Sequence, residues 1–195
     1  MKHIKIIKIF ILILIFTLNF NLIIKADSSN NFEIDEISIG DSLINILDTE
    51  TIKKDTQYFY ENLKFGTVAI YNSSTYDRVQ LTYDVKSDDY VIHGIAGILK
   101  FPDNIEKCRV EMKKIANDVK SLFGEEAVNR TGSFKRTHDK SGKSFAFYND
   151  FQFNDNSAIN IYCTDWSEKM TKENGWIDEL KVSIYSKEFA TFLSE

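Results

Sequence analysis

The sequence predicts an α+β fold: an antiparallel sheet with one long and one or two short helices packed on it. Three observations carry this. Alternating apolar and polar runs follow one another along the chain, as in "DRVQLTYDV", where Val79, Leu81, Tyr83 and Val85 share one face and Arg78, Gln80, Thr82 and Asp84 the other. One long segment, between "PDN" at 102–104 and Gly124, carries its apolar residues at helical spacing. A short amphipathic stretch closes the chain. The order is helix, strands, long helix, strands, short helix. It leaves open whether the sheet is made of two loosely similar helix-then-strands halves.

The chain opens "MKHIKIIKIFILILIFTLNFNLIIKADSSN". Lys2, Lys5 and Lys8 precede an apolar run over roughly 9–24, and Ala26 follows. That is the order of a secretory signal, with the cut after Ala26 and Ile24 three residues before it. An uncleaved membrane anchor is the alternative, although Thr17, Asn19 and Asn21 weaken a span that is already short for a bilayer. No cysteine lies near the cut, which argues against a lipoprotein. The expected organisation is therefore a signal peptide at 1–26, a disordered polar lead at 27–31 and a single α+β domain at 32–195. Cleavage removes four of the 24 basic residues and none of the 29 acidic ones, leaving 20 against 29, a net charge of −9. Such a surface argues against nucleic acid and against anionic lipid as general partners. The remaining chain is long enough for a sizeable core.

"FEIDEISI" at 32–39 alternates with one slip of phase and reads as a strand or extended segment. Asp41 is placed to cap a short helix through about Asp48, with Leu43, Ile44 and Leu47 on one face. "FGTVAIY", "DRVQLTYDV" and "YVIHGIAGILKF" are strands, with "KSDD" turning between the last two. "PDN" at 102–104 supplies a turn and a cap for the long helix, whose stripe is Cys108, Met112, Ile115, Val119 and Leu122, and Gly124 ends it. "SGKSFAFYNDFQFND", "SAINIYCTDW" and "DELKVSIYS" are further strands. "SKEFATFLSE" closes as a helix with Phe189, Phe192 and Leu193 inward.

Several motifs invite a chemical reading. "SIGDSL" at 38–43 has the Gly-Asp-Ser-Leu pattern of a large class of lipases and esterases, which makes Ser42 a candidate nucleophile. Such a serine needs a histidine base oriented by an acid. Those enzymes supply both as Asp-x-x-His, and neither His93 nor His138 is preceded by that acid. The alternative is structural: Gly40 breaks a strand, Asp41 caps and Leu43 packs. "THDKSGKS" at 137–144 ends like a phosphate loop but has Thr137 where the first glycine belongs, so it reads as a turn with Gly142 at positive φ. His93, in "VIHGIAG", reads as a buried or half-buried strand histidine. The close ligand pair of a structural zinc site is lacking. Asp84, Asp88 and Asp89 lack the spacing of a calcium loop and read as a solvated turn. Trp166, Trp176 and the tyrosines could form a binding surface or be core. No cofactor is expected.

The two cysteines are more informative. Cys108 lies on the apolar stripe of the long helix, and Cys163 is in phase with Ile159 and Ile161. Both point into the layer between helix and sheet. After export two such thiols are expected to bridge. A separation of 55 residues corresponds to about 4 kcal/mol in the loop-entropy model. Two buried free thiols, or a reactive Cys163, are the alternatives.

"FEIDEISIGDSL", "THDKSGKS", "CTDWS" and "KVSIYSKEFATFL" together resemble a group of small exported proteins from AT-rich marine alphaproteobacteria of the SAR11 (Pelagibacter) type. The resemblance spans most of the chain after residue 26. It implies a periplasmic or secreted bacterial protein with both cysteines in characteristic places, and it implies no activity. The helix-then-sheet halves are similar in outline to small periplasmic modules related to β-lactamase inhibitor protein and outer-membrane assembly lipoproteins, an analogy of fold alone. The expected function is that of a non-enzymatic binding or envelope-associated domain. Its partner would be an envelope protein or a small ligand, and a membrane only if the first segment stays uncleaved. A serine esterase using Ser42 is the alternative.

Overall fold

The computed structural model describes residues 32–60, 63–71 and 73–195, so the expected signal segment and polar lead lie outside the described residues. The strands are β1 (Phe65–Ile70), β2 (Arg78–Asp84), β3 (Ile92–Lys100), β4 (Ala127–Lys135), β5 (Phe145–Phe153), β6 (Ala158–Asp165) and β7 (Glu179–Tyr185). The helices are α1 (Thr49–Asp55), α2 (Ile105–Phe123), α3 (Glu168–Asn174) and α4 (Lys187–Ser194). The strands form one antiparallel sheet in the order β1-β2-β3-β7-β6-β5-β4. It is an α+β fold. Two meanders, β1–β3 and β4–β7, each follow a helix and join where β3 pairs with β7. No described helix is long and apolar enough to cross a membrane.

Helix α2 forms where its signals place it. The Asn104 side chain accepts from the Lys107 amide at 3.1 Å, and Gly124, at φ 55°, ends the helix. The face it buries differs in part from the expected stripe. Cys108, Met112, Ala116, Val119 and Phe123 are buried, Ile115 is only half-buried, and Leu122 is 67% exposed. The expected stripe follows a seven-residue repeat, which drifts around a straight helix by about 20° per repeat, so its last member leaves the interface. Cys108 faces Cys163 on β6 with the sulfurs at disulfide distance, 2.02 Å, and Cα atoms 5.9 Å apart. The bridge lies between helix and sheet, as the two apolar patterns require. Over the first meander the same face is covered by Ile34, Leu43 and Ile52 from the segment before β1.

That first segment departs most from expectation. "FEIDEISI" is no strand: Ile34 and Ile37 pair with each other across a two-residue turn, Asp35 and Glu36 standing at φ 52° and 64°. The slip of phase in the sequence is this chain reversal. The expected helix over 41–48 is a single 3-10 turn at Leu43–Asn45. The regular helix starts only at Thr49, because Asp48 rather than Asp41 caps it, its carboxylate accepting from the Thr51 amide at 2.9 Å. Strand β4 and helix α3 were not foreseen. Beyond Ala127, β4 is exposed on both faces and therefore has no alternation to read. In α4, Phe189 is buried and Phe192 half-buried, whereas Leu193 is 45% exposed.

Candidate functional site

The two faces of the sheet differ in kind. One row of cross-strand partners, Leu81, Ile95, Ile184, Ile159 and Phe151, belongs to the core beneath α2 and the segment before β1. The next row, one residue along each strand, points the other way: Gln80, Ala96, Ser183, Asn160 and Asp150. On either side of it lie Arg78, Ile98, Lys181 and Tyr162, and Thr82, Gly94, Tyr185 and Ala158. This second face carries mostly polar and small side chains, with Ile98 and two tyrosines among them.

Over β2, β3 and β7 that face forms a cleft of about 650 Å³. Its floor is Arg78, Gln80 and Thr82 with Ala96 and Lys181. One end is walled by Phe59, Tyr60 and Phe189, the other by Trp166, Trp176 and Arg136. The small floor residues have a packing reason. A Cβ on Gly94 would sit 3.0 Å from the Phe189 ring, so glycine is what lets α4 approach the sheet. Ser186 caps α4 by accepting from the Phe189 amide at 3.2 Å. Phe189 in turn packs edge-on against Phe65, Tyr60 and Tyr185.

The tryptophan end is held by a polar knot in the segment that looks like a phosphate loop. Asp139 is buried and accepts from the Ser141 and Ser144 amides at 2.8 and 3.1 Å, and from the Ser144 and Ser167 hydroxyls at 2.7 and 2.9 Å. The hydrogen bonds from Ser141, then Ser144, then Ser167 hold its carboxyl well below the usual range. The loop amides that a phosphate would need are thus turned on the chain's own carboxylate, and Gly142 adopts the expected positive φ, 69°. Ser167 also caps α3, next to Trp166. The Trp166 amide donates to Asp178 at 2.8 Å, and burial pushes the Asp178 carboxyl up despite that bond. The Arg136 guanidinium lies 5.1 Å from the Trp166 ring, and the two indoles are 4.4 Å apart.

Along the same face, Asp150 accepts from the Asn160 amide group at 2.6 Å. Burial nevertheless raises its carboxyl above the ordinary 3.8, and the same burial, with the Asp150 charge beside it, pushes the Tyr162 phenol up. A raised aspartate destabilises the fold when ionised, and the penalty fades as pH falls through the folded pKa. Asp150→Asn is therefore expected to raise Tm at pH 7 by a few degrees, roughly 1 kcal/mol or less. The gain should shrink toward pH 4. Melting curves of both proteins across that range check this, and a variant less stable at pH 7 would refute it.

Ser42 and His93, singled out in the sequence, are each bonded to other partners. The Ser42 hydroxyl donates to the Asp89 carbonyl at 2.7 Å, and Ser42 bridges Val91, so it fastens the first segment to the β2–β3 turn. His93 is half-buried, as a strand histidine, where β3 slips register against β2 between Ile92 and Gly94. Its Nδ1 is 3.0 Å from the Ser186 hydroxyl and 3.9 Å from Glu188. Burial lowers its pKa, and Glu188 opposes this. Both neighbours address the same ring nitrogen, and the Ser186 hydroxyl already caps α4, so the trio lacks the geometry of a nucleophile–base–acid relay. His138 packs its ring toward Trp176. No histidine bonds Ser42 among the described residues. No group of three or more His, Cys, Asp or Glu that could hold a metal occurs among them either.

The cleft brings together residues from β1, β2, β3, β7, α4 and five loops. Sequence reading put Arg78, Gln80 and Thr82 on one polar face and named both tryptophans, but nothing in it joined the two sets. Compared with known proteins, the chain matches no family model, no curated protein and no solved structure.

Proposed function

We propose that this protein is an exported, periplasmic or secreted, non-enzymatic binding domain, and that its ligand occupies the cleft on the helix-free face. The observation that carries the reading is the cleft. The central strands of the sheet turn a polar, small-residue floor of about 650 Å³ to solvent between two aromatic walls. That is the volume of a small-molecule site, more polar in its lining than most, with aromatic side chains at its two ends. The signal-like start and the cysteines at bridging distance support an oxidising compartment. The Ser42 hydroxyl bonds the Asp89 carbonyl and His93 Nδ1 meets Ser186, which favours binding over ester hydrolysis.

The test is native mass spectrometry of the protein mixed with a pooled set of small polar and amphipathic metabolites, beside Gln80→Phe. Gln80 is a half-buried floor residue at the middle of the cleft, so a ring there obstructs it without entering the core. One-to-one adducts are expected with the parent and not with Gln80→Phe, whose melting temperature should match. Adducts that persist unchanged in the variant, or their absence from the parent across the whole set, would refute the reading.

A further inference from the structure

The cleft has a polarity along its length that points to the class of ligand. This inference rests on the binding reading above. The chain as a whole has 24 basic and 29 acidic residues, yet the cleft lining has four basic side chains, Arg78, Lys100, Arg136 and Lys181, against Asp77 and Glu179. The four cations gather where β3 ends and β7 begins, beside Trp166 and Trp176. The far end, by Gly94, is neutral and aromatic. Along β3 the two ends are separated by the run from Lys100 back to Gly94, about 20 Å at the rise of a strand.

Both arginines line the cleft and keep hydrogen-bonding capacity unused. The Nε atoms of Arg78 and Arg136 are buried and bonded to nothing among the described residues. Among the described residues the Arg78 guanidinium is ion-paired with Glu179, at 3.8 Å, too long for a hydrogen bond. Arg136 lies over the Trp166 ring, its guanidinium carbon 5.1 Å from the ring centroid, at the basic end of the cleft. Buried donors without acceptors are costly, and a guanidinium edge is shaped for a bidentate oxyanion.

We infer that the cleft binds a ring-bearing organic oxyanion, a carboxylate or a phosphate monoester, with the anion between Arg78 and Arg136 and the ring against the indoles. Lys100 and Lys181 add charge without the fork. A plain fatty chain fits less well, because it would leave Gln80, Thr82 and Lys181 unpaired on the floor.

The chain has two tryptophans, and both line this end of the cleft, so their emission reports on this site. The probes are phenyl phosphate and benzoate, with benzamide and inorganic phosphate beside them. Saturable changes in emission are expected with one or both ring-bearing anions, weaker at high salt, and the anion that binds more tightly identifies the head group. Arg136→Gln and Arg78→Gln should each weaken binding about tenfold or more. Arg136→Lys should recover only part of the loss, and Lys181→Gln should have a smaller effect. Melting temperatures establish that each variant is folded. Equal binding of benzamide or inorganic phosphate would overturn the inference, as would affinities that the arginine substitutions leave unchanged. If the adducts retained in the native spectra, and lost in Gln80→Phe, are neutral molecules, this inference falls while the binding reading stands.

Discussion

Reduction of the Cys108–Cys163 bridge is expected to lower Tm by roughly 10 °C while leaving the strand pairing in place. Closing a loop of 55 residues removes disorder from the unfolded chain, about 4 kcal/mol in the loop-entropy model, and a chain of this size loses some 2–4 °C per kcal/mol. The bridge is also the covalent link between α2 and β6, the strand on which that helix chiefly rests. Both cysteines have no exposed surface. A thiol reagent should therefore label the protein only when reduction is combined with unfolding. Calorimetry with and without reductant, beside the double variant Cys108→Ala/Cys163→Ala, measures the effect. An unchanged Tm after complete reduction would show that the packing of α2 alone holds the helix to the sheet.

Phe189→Ala is expected to cost about 3–5 kcal/mol, among the largest effects of any single substitution outside the bridge. Phe189 is 2% exposed, and its ring stands 5.0 Å from Phe65 and 5.3 Å from Tyr185. The sheet has already yielded to it: Gly94 has no side chain where that ring lies. Truncation therefore leaves a hole that neither α4 nor β3 can close, and it opens the neutral end of the cleft. Phe59, a neighbouring cleft residue, is 59% exposed, so Phe59→Ala should change stability by no more than about 0.5 kcal/mol. Urea unfolding of the two variants measures the contrast. Similar losses at both positions would mean that Phe189 is not the residue that seats α4.

The elements that could be read from the sequence are those whose stability is written locally. Helix α2 has an apolar stripe within its nineteen residues and a cap and a stop at the two residues that flank them. The strands β2, β3, β6 and β7 alternate or run apolar because they lie at the centre of the sheet. Strand β4 had no such signature, because an edge strand with both faces exposed is held by its hydrogen bonds to β5, and those belong to the partner. The first segment misled for a related reason. Asp35 and Glu36 take left-handed conformations that their residue types do not announce, and Asp48, seven residues after Asp41, won the capping position.

The candidate site shows the same division. By itself the sequence determined the α+β class, the polar face of β2 with Arg78, Gln80 and Thr82, and the inward direction of both cysteines, since side-chain periodicity is a property of each element alone. Only the tertiary structure decided that β3 pairs with β7. That one pairing sets Lys181 and Glu179 beside Arg78 and brings the loops carrying Arg136, Trp166 and Trp176 to one end of the resulting floor. A cleft is made by residues distant in sequence that meet through backbone hydrogen bonds, and those bonds are nearly indifferent to the side chains they bring together.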